Sequence, residues 1–495
     1  MESGARSWHE ISKALQIESR AFIDGSYCEA SDGATFQCIS PIDGRHLADV
    51  TQCDRSEVER AVTSSRKAFH SGVWSRANPR DRKTVLLRFA ALITECASEL
   101  AALETVDSGK TITDTSTGDI PATAYCVGWF AEAIDKVPGE VAPTDHTHLG
   151  LITREPMGVV AAVVPWNYPL LMAAWKFAPA LAAGNSVILK PSEKSPLTAI
   201  RIAGLAVEAG IPPGVFNVLP GDGRVGQLLA SHADVDCIAF TGSGSVGRKI
   251  TQSAANSNLK RVWTELGGKS PNIVLRDADI ERAGKAAAAA IFTNMGEVCS
   301  AGSRLLVHKD VKSELLRYTL DAARSFVPGD PLDPATNIGA IVDQIQLERV
   351  LGYIEQGKSE ANILLGGRRV REDTGGFYLE PTVFDCPNPR AKIVREEIFG
   401  PVLSVITFDT PEEALSIAND SIFGLAAAVW TESLATAHDI SARLKAGTVW
   451  VNCYDDIFDM NFPFGGFKQS GNGRDNSLHA LDKYTEMKST IIRIN

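Results

Sequence analysis

Apolar positions recur three and four residues apart, with charged residues between them, over residues 54–106. This spacing predicts amphipathic helices on the surface of a domain. From residue 157 the pattern changes to short runs that are rich in β-branched residues and are separated by helical stretches. The runs are 158–164, 185–190, 214–219 and 237–240, and the helices after them begin near Pro169, Ser195, Gly223 and Gly244. Runs that are apolar on both faces are typical of parallel strands covered by helices, so we expect a doubly wound α/β domain with its ligand beyond the carboxyl ends of the strands.

A second alternation of helices and strands runs from about residue 265 to residue 470 and indicates another α/β unit. Two stretches fit neither unit, residues 129–148 and the C-terminal sequence YTEMKSTIIRIN. The C-terminal sequence has the pattern of an exposed strand that needs an edge to pair with, which favours oligomerisation.

Composition narrows the classes of partner. The 495 residues are 44% hydrophobic and carry a formal net charge of -11, which argues against a nucleic acid or an anionic membrane as partner. We find neither a secretory signal nor a span long enough for a bilayer. The nine cysteines are scattered, without the paired spacing of a zinc site or a disulfide framework. We therefore expect a reduced, cytoplasmic protein without a metal site.

A lone cysteine, Cys299, stands between two glycines in GEVCSAGSR, residues 296–304, where a helical pattern gives way to a strand. A free cysteine is often a small, chemically idle core residue. Its thiolate can also serve as a nucleophile. The motif alone does not separate these two interpretations.

Two further motifs lie at the ends of predicted strands. In FTGSGSVGRKI, residues 240–250, the glycines and free N–H groups at a helix start favour a phosphate, although Ser243 acting as an ordinary N-cap explains the motif equally well. The spacing is neither a Rossmann nor a Walker motif. In VVPWNYPL, Asn167 either caps the helix that Pro169 opens or supplies an amide donor for an oxyanion.

Charged residues also fall at this predicted edge. Lys190 and Glu193 follow the second strand, where a carboxylate can bind ribose hydroxyls and would repel a 2′-phosphate, which favours NAD over NADP. Glu265 interrupts an apolar strand near Trp263. Burial there would raise the pKa of Glu265 towards that of a general base, and a surface glutamate before a turn is the alternative.

Seven motifs occur together and in order: PWNYP, KPSE, FTGSGSVG, ELGGKSPNIV, GEVCSAGSR, EEIFGPV and PFGGFKQSGNGRD. Taken together they resemble the aldehyde dehydrogenase superfamily, over essentially the whole chain. The resemblance implies that Cys299 attacks the aldehyde, that Asn167 and the Cys299 N–H hold the oxyanion, and that Glu265 activates water and passes a proton towards Lys176.

The same resemblance implies a set of binding residues. For NAD, with NADP the less favoured cofactor, they are Trp166, Lys190, Ser192, Glu193, Gly223, Gly242, Ser243, Gly247, Leu266, Glu397 and Phe399. In this set Lys190 and Glu193 meet the adenine ribose, Ser243 and Trp166 the pyrophosphate, and Glu397 with Phe399 the nicotinamide ribose. For the substrate they are Tyr168, Leu171, Trp175, Val298, Ser300, Phe458 and Phe464. Asp455, Asp456 and Asp459 either attract a cationic tail or form a solvated loop.

The implied architecture is a Rossmann-like NAD-binding domain (1–128 and 149–263), an α/β catalytic domain (264–470) and a β-strand oligomerisation segment (129–148 and 471–495) that forms a homodimer or homotetramer. Two positions depart from the family pattern, Glu297 and Asp475, and both could alter proton handling.

Further similarity is to bacterial enzymes of polyamine breakdown that act on γ-glutamyl-γ-aminobutyraldehyde. Close relatives oxidise indole-3-acetaldehyde or aliphatic aldehydes, so the substrate stays open. The rival functions are a CoA-acylating dehydrogenase and a non-catalytic structural protein of the same fold.

Overall fold

A computed structural model describes residues 7–457 and 459–494 of the chain. The helices of these residues are α1 Trp8–Lys13, α2 Arg55–Ser71, α3 Pro79–Glu95, α4 Ala97–Ser108, α5 Ile112–Asp114, α6 Ile120–Ala133, α7 Pro169–Ala183, α8 Leu197–Glu208, α9 Gly223–Ser231, α10 Gly244–Ala255, α11 Ile280–Phe292, α12 Lys312–Ser325, α13 Gln344–Glu360, α14 Lys392–Arg395, α15 Pro411–Asn419 and α16 Leu434–Arg443. A π-helical turn, Thr115–Asp119, joins α5 to α6, and short 3₁₀ turns lie at Thr293–Gly296, Lys309–Val311, Glu372–Thr374, Lys468–Ser470 and Leu478–Tyr484.

The strands of the same residues are β1 Ala21–Ile23, β2 Ser26–Cys28, β3 Thr35–Ile39, β4 His46–Thr51, β5 Glu140–Ala142, β6 His148–Pro156, β7 Val159–Val163, β8 Ser186–Lys190, β9 Phe216–Val218, β10 Cys237–Thr241, β11 Arg261–Glu265, β12 Pro271–Val274, β13 Arg304–His308, β14 Asn362–Leu365, β15 Arg369–Val370, β16 Tyr378–Leu379, β17 Thr382–Asp385, β18 Val402–Phe408, β19 Ala426–Trp430, β20 Thr448–Val451 and β21 Thr485–Arg493. They form two seven-stranded sheets, one three-stranded sheet and two small antiparallel pairs.

The first large sheet has the order β11-β10-β7-β8-β9-β1-β2, in which β7 to β11 are parallel. The four predicted runs form β7, β8, β9 and β10. Alternate residues of β7 enter different cores, with Val160 packing in one and Val159 in the other. Both faces of the sheet are therefore covered, which explains why the runs are apolar throughout and confirms the doubly wound α/β fold.

The second large sheet has the order β14-β17-β18-β13-β12-β19-β20 and is parallel except for β14. Its strands also divide between two cores, as Leu306 and Leu305 of β13 show. β12 begins six residues after β11 ends, so a short crossing segment carries the chain directly from the first sheet to the second.

The third sheet contains the C-terminal strand. β21 pairs antiparallel with β6 from Thr485 opposite Pro156 to Arg493 opposite His148, and β6 pairs in turn with β5. Residues 129–133 are the end of α6, and Leu478–Tyr484 pack against α7 through Ala480 and Tyr484. The domain boundaries themselves stay a prediction.

The amphipathic pattern is only partly a guide to exposure. α2 and α3 bury one face each, but every residue of α4 from Leu100 to Ser108 is buried, including Glu104 and Asp107. The surface prediction for residues 54–106 is wrong for α4, because α1, α6 and α8 cover it on several sides. A search of the described residues finds no helix with the length and apolar character that crossing a bilayer requires.

Candidate active site

The first sheet presents most of the predicted residues at one edge. Parallel strands end on the same side, and the ends of β7, β8, β10 and β11 lead into Trp166, Lys190, Gly242 and Glu265. Gly223 opens α9 beyond the end of β9. These residues lie far apart in the sequence, and strand pairing gathers them.

Cys299 reaches this edge from the second sheet. It lies in the loop between α11 and β13, where Asn294 and Met295 have left-handed φ angles of 48° and 55°. The thiol is only partly buried, and its charge would interact with Glu397, Glu265 and Asp455. The loop therefore brings the cysteine to the carboxylates of the crossing region.

The Cys299 thiol is protonated in this structure and not held as a thiolate. Burial raises the pKa of Cys299 to about 12, with further increases from the carboxyls of Glu397 and Glu265, while the Ser300 N–H opposes them. The thiol is therefore neutral near pH 7 in the chain alone. A thiol must lose its proton before it can act as a nucleophile.

Asn167 is fixed from three directions. Its side-chain Nδ2 donates to the Glu297 main-chain carbonyl at 2.7 Å. Its main-chain carbonyl accepts from Asn294 Nδ2 at 3.1 Å and from Lys110 Nζ at 3.3 Å. The N-cap of α7 is Tyr168, so the capping interpretation of Asn167 is wrong. An amide carries two N–H groups, and the bond to Glu297 leaves the second as a donor.

Glu265 ends β11 as a buried carboxyl. Among the described residues neither of its oxygens has a hydrogen-bond partner. Burial raises the pKa of Glu265 well above its ordinary value, and the negative charge of Asp475 adds to the increase. The positive charges of Lys176 and Lys483 oppose it. This matches the sequence expectation of a carboxyl whose pKa is shifted towards general-base chemistry.

Lys176 and Asp475 form a buried ion pair whose charges interact with Glu265. The ammonium groups of Lys176 and Lys483 both contact the Asp475 carboxylate. Burial alone would raise the pKa of Asp475, but the two lysines hold it below its ordinary value. Burial lowers the pKa of Lys176. The predicted proton path towards Lys176 stays a prediction, and Asp475 is the partner that Lys176 contacts.

The predicted adenosine-side residues lie along the strand ends. Lys190 is buried, Ser192 is nearly so, and exposed Glu193 places Oε2 3.3 Å from Lys190 Nζ. Ser243 is the N-cap of α10 and accepts from the Val246 N–H, so its capping role is present whether or not it also binds phosphate. A Cβ at Gly247 would lie 2.8 Å from Leu266 Cδ2, so the absence of a side chain lets α10 pack closely against the crossing segment.

Glu397 and Phe399 precede β18. The Gly268 N–H donates to Glu397 Oε1 at 2.9 Å, and a Cβ at Gly267 would lie 2.1 Å from Oε2, so only glycine lets this carboxyl approach. Burial raises the pKa of Glu397 to about 7. The Phe399 ring packs edge-on against Trp166 with centroids 5.3 Å apart.

The predicted substrate residues form an apolar wall on α7 and its surroundings. Leu171 and Trp175 are buried on α7, and the Trp175 and Phe464 rings lie 5.3 Å apart. Tyr168 is half-buried and interacts electrostatically with Cys299. Val298 is half-buried, Ser300 is buried, and Phe458 lies outside the described residues.

The sequence did not identify the residues that contact the segments around Cys299 and Asn167 and fix their positions. Tyr454 donates its hydroxyl to the Ser300 carbonyl at 2.5 Å and so holds the residue after Cys299. Lys110 and Asp119 are both buried and form an ion pair of 2.7 Å next to Asn167. Both residues lie in the polar sequence SGKTITDTSTGD, residues 108–119, just after the predicted surface helices, and nothing in that sequence marks them as buried.

Glu297 is buried beside this loop. Its Oε1 accepts from the Val342 N–H at 3.3 Å, and burial raises the pKa of this carboxyl well above its ordinary value. The raised pKa favours the neutral form of Glu297, which is close in shape to glutamine, and the carboxyl contacts the 339–343 segment through Val342.

Glu297→Gln should raise the unfolding midpoint temperature, and the gain should increase with pH. A raised carboxyl pKa stabilises the fold fully below the ordinary value of 4.5, and this contribution is lost as pH rises towards the folded pKa. The loss is at most about 1.4 kcal/mol per pH unit. Thermal unfolding of both proteins between pH 5 and pH 9 checks this, and a difference that is constant across pH would contradict it.

Comparison with known proteins adds an independent finding. Residues 27–490 match the family described as "Aldehyde dehydrogenase family". The chain is 50% identical over 489 residues to the NADP/NAD-dependent aldehyde dehydrogenase PuuC of Escherichia coli (strain K12), covering 98% of each. The crystal structure of γ-glutamyl-γ-aminobutyraldehyde dehydrogenase from Burkholderia cenocepacia J2315 is 67% identical, with a TM-score of 0.98 over 99% of each chain. An indole-3-acetaldehyde dehydrogenase in complex with NAD⁺ is 58% identical, with a TM-score of 0.97 over 98% of this chain and 99% of that one.

Proposed function

The chain belongs to the aldehyde dehydrogenase family, and we propose that it oxidises an aldehyde to the carboxylate with NAD, through a thiohemiacetal and a thioester on Cys299. One observation carries the proposal. A partly exposed thiol shares its electrostatic environment with two buried carboxyls, Glu265 and Glu397, that have raised pKa values. A nucleophile and a candidate base in one site are what two-step acyl chemistry needs.

The residues at the strand ends fit NAD. The carboxyl edge carries the exposed carboxylate of Glu193, which suits ribose hydroxyls, and the N-terminus of α10, whose first N–H groups suit a phosphate. Gly267 keeps space for the Glu397 carboxyl, the predicted partner of the second ribose. When bound, NAD would accept a hydride. The name of the Escherichia coli relative includes NADP, so the preference for NAD rests on Glu193.

Each catalytic residue of the chain then has its own step in the proposed reaction. The Cys299 sulfur, once deprotonated, adds to the aldehyde carbon, and the carbonyl oxygen becomes an oxyanion that the Asn167 amide and the Cys299 N–H stabilise. Loss of hydride from this adduct leaves a thioester. Glu265 takes a proton from water as the water oxygen attacks the thioester carbon. The carbon–sulfur bond then breaks, the proton held by Glu265 passes to the Cys299 sulfur and restores the thiol and the Glu265 carboxylate, and the product carboxylic acid releases its proton to solvent.

Glu265 separates this proposal from its rivals. A CoA-acylating enzyme transfers the acyl group to a thiol and needs no base for water, whereas this chain keeps an unpaired buried carboxyl near Cys299. A structural protein would not require Cys299, Glu265 and Asn167 together. Hydrolysis to the carboxylate is therefore the outcome that the site supports best.

The proposed substrate is an aminoaldehyde or a related compound such as γ-glutamyl-γ-aminobutyraldehyde. The structure that is 67% identical to the chain is named for that substrate. Indole-3-acetaldehyde or an aliphatic aldehyde is the second candidate, favoured by the apolar wall of Trp175 and Phe464 and by the NAD⁺-bound neighbour of that name.

Purified protein with NAD should form NADH with aldehydes in the absence of CoA. We expect kcat/KM for γ-glutamyl-γ-aminobutyraldehyde to exceed that for indole-3-acetaldehyde and a medium-chain aliphatic aldehyde by at least about tenfold. Absorbance of NADH, with and without CoA, checks both points. A dependence on CoA would contradict the hydrolytic route, and a higher kcat/KM for indole-3-acetaldehyde would replace the substrate class and leave the chemistry intact.

We also propose that the third sheet supports a homodimer or homotetramer. Val141, Met487 and Ile491 expose 69%, 70% and 73% of their surface on this three-stranded sheet. Such exposed apolar residues on an edge are typical of an interface. The cytoplasmic location stays a prediction from the cysteine pattern.

A further inference from the structure

Lys110 has a side chain only 1% exposed, although it follows the end of α4 and carries no predicted role. Its Nζ lies 2.7 Å from Asp119 Oδ2, 3.3 Å from the Asn167 carbonyl oxygen and 3.3 Å from the centre of the Tyr168 ring. A buried ammonium is costly unless it is paired. Here the ammonium contacts the Asp119 carboxylate and two consecutive residues, Asn167 and Tyr168, of the loop that follows β7.

α4 also contacts the start of α7, which follows this loop directly. Glu104 on α4 accepts from the Leu170 N–H at 3.2 Å and from the Thr198 hydroxyl at 3.0 Å. Its carboxyl is fully buried, and burial raises its pKa to about 8, with the charge of Asp119 adding to the increase and that of Lys110 opposing it. Burial also raises the pKa of Asp119, and the adjacent ammonium of Lys110 opposes this increase, so Lys110 is the cation that compensates two buried acidic side chains.

The contact between Lys110 and the Asn167 main chain helps to fix the position of the Asn167 side-chain amide. The Asn167 carbonyl is shared by Lys110 and Asn294, while its side chain is aimed by the Glu297 carbonyl. The cation–π contact fixes the next residue, Tyr168, which faces the Cys299 side of the site. Removing the ammonium releases both residues at once, and an oxyanion donor that is misplaced by a fraction of an ångström loses much of its effect.

We propose that Lys110 is a positioning residue for the oxyanion step: its ammonium, held by Asp119, fixes the Asn167–Tyr168 segment so that the Asn167 amide meets the oxygen of the Cys299 adduct. This rests on the proposed function, because it assigns a purpose to the same site. The cluster acts through Asn167 and does not touch the aldehyde carbon.

Lys110→Met tests the proposal, with Lys358→Met as the matched control because Lys358 is an exposed lysine paired with Glu355 on α13. Two rates are measured. The first is the pre-steady-state burst of NADH, which needs the oxyanion. The second is alkylation of Cys299 by iodoacetamide, a displacement at saturated carbon that forms no oxyanion. We expect the burst of Lys110→Met to slow at least about tenfold and the alkylation to change less than about twofold.

A double variant separates positioning from an uncompensated charge. Lys110→Met alone leaves Asp119 unpaired, so Lys110→Met with Asp119→Asn removes both charges and guards against failure to fold. We expect its burst to be as slow as that of the single variant. Recovery of the parent burst rate, an unchanged burst in Lys110→Met, or an equal fall in burst and alkylation would overturn the proposal. Failure of the parent to form any NADH from an aldehyde would instead reject the proposed function.

Discussion

Cys299→Ala should lower kcat for aldehyde oxidation by at least about a thousandfold and leave the affinity for NAD within about twofold of the parent. The sulfur forms the bond that turns the aldehyde into a hydride donor, so no weaker nucleophile among its neighbours replaces it. The thiol also lies at the end of a loop and not in a core, so the smaller side chain should cost little stability. Steady-state NADH formation gives kcat, and quenching of tryptophan fluorescence on titration with NAD gives the affinity.

Cys96→Ala is the matched control, because Cys96 is another partly buried free cysteine, located between α3 and α4. We expect it to keep the parent rate. A Cys299→Ala protein that turns over aldehyde at the parent rate would show that the chemistry does not pass through this sulfur, whatever the family.

The pH dependence of this first step follows from the burial of the thiol. Burial raises the pKa of Cys299 to about 12 in the chain alone, so the reactive thiolate is a small fraction at neutral pH and increases as pH rises. The resemblance to the aldehyde dehydrogenases implied that Cys299 is the nucleophile, but the sequence could not give its protonation state. That state depends on Glu397 and Glu265, which lie 98 and 34 residues away in the sequence and meet Cys299 only in the fold.

The arrangement of the first sheet was accessible from the sequence because it obeys a local rule. Val159 to Val163 alternate between two cores, so a run without polar positions indicates a strand covered on both faces. Once the strands are parallel, their ends share an edge, and Lys190, Gly242 and Glu265 become neighbours by topology alone. The motifs could then be assembled into one site before any contact was known.

The supporting residues were not accessible in the same way. Glu104 occurs in a stretch whose charges predict a solvated helix face, because the sequence does not reveal that α6 and α8 cover α4, and Lys110 lies just beyond that stretch with no predicted role. Asp475 was noted only as a shortened acid, although the structure shows it between two lysine ammonium groups. Long-range pairing of buried charges leaves no periodic signal, so such networks emerge only from the packed structure.

Glu265→Gln should preserve a rapid burst of NADH and then reduce steady turnover by about a hundredfold or more. Acylation consumes no water, so the first oxidation proceeds without a base for water and one equivalent of NADH per site appears. The thioester then persists, because the amide of glutamine cannot accept the proton of the attacking water. Stopped-flow absorbance resolves the burst from the later rate, and mass spectrometry of the quenched protein should find the acyl group on the peptide that contains Cys299.

The raised pKa of Glu265 adds a pH signature to the same experiment. A base must be ionised to act, so burial, which shifts the pKa of Glu265 upward, makes the deacylation rate of the parent increase with pH until the carboxyl is ionised. An activated aryl ester acylates Cys299 without any oxidation, so its slow phase isolates deacylation. We expect Glu265→Gln to lose this increase, while Glu281→Gln, which alters an exposed glutamate paired with Lys285, keeps it. A Glu265→Gln enzyme with the parent's steady rate and pH profile would assign the activation of water to another group, and the buried Lys176–Asp475 pair beside it would be the next to test.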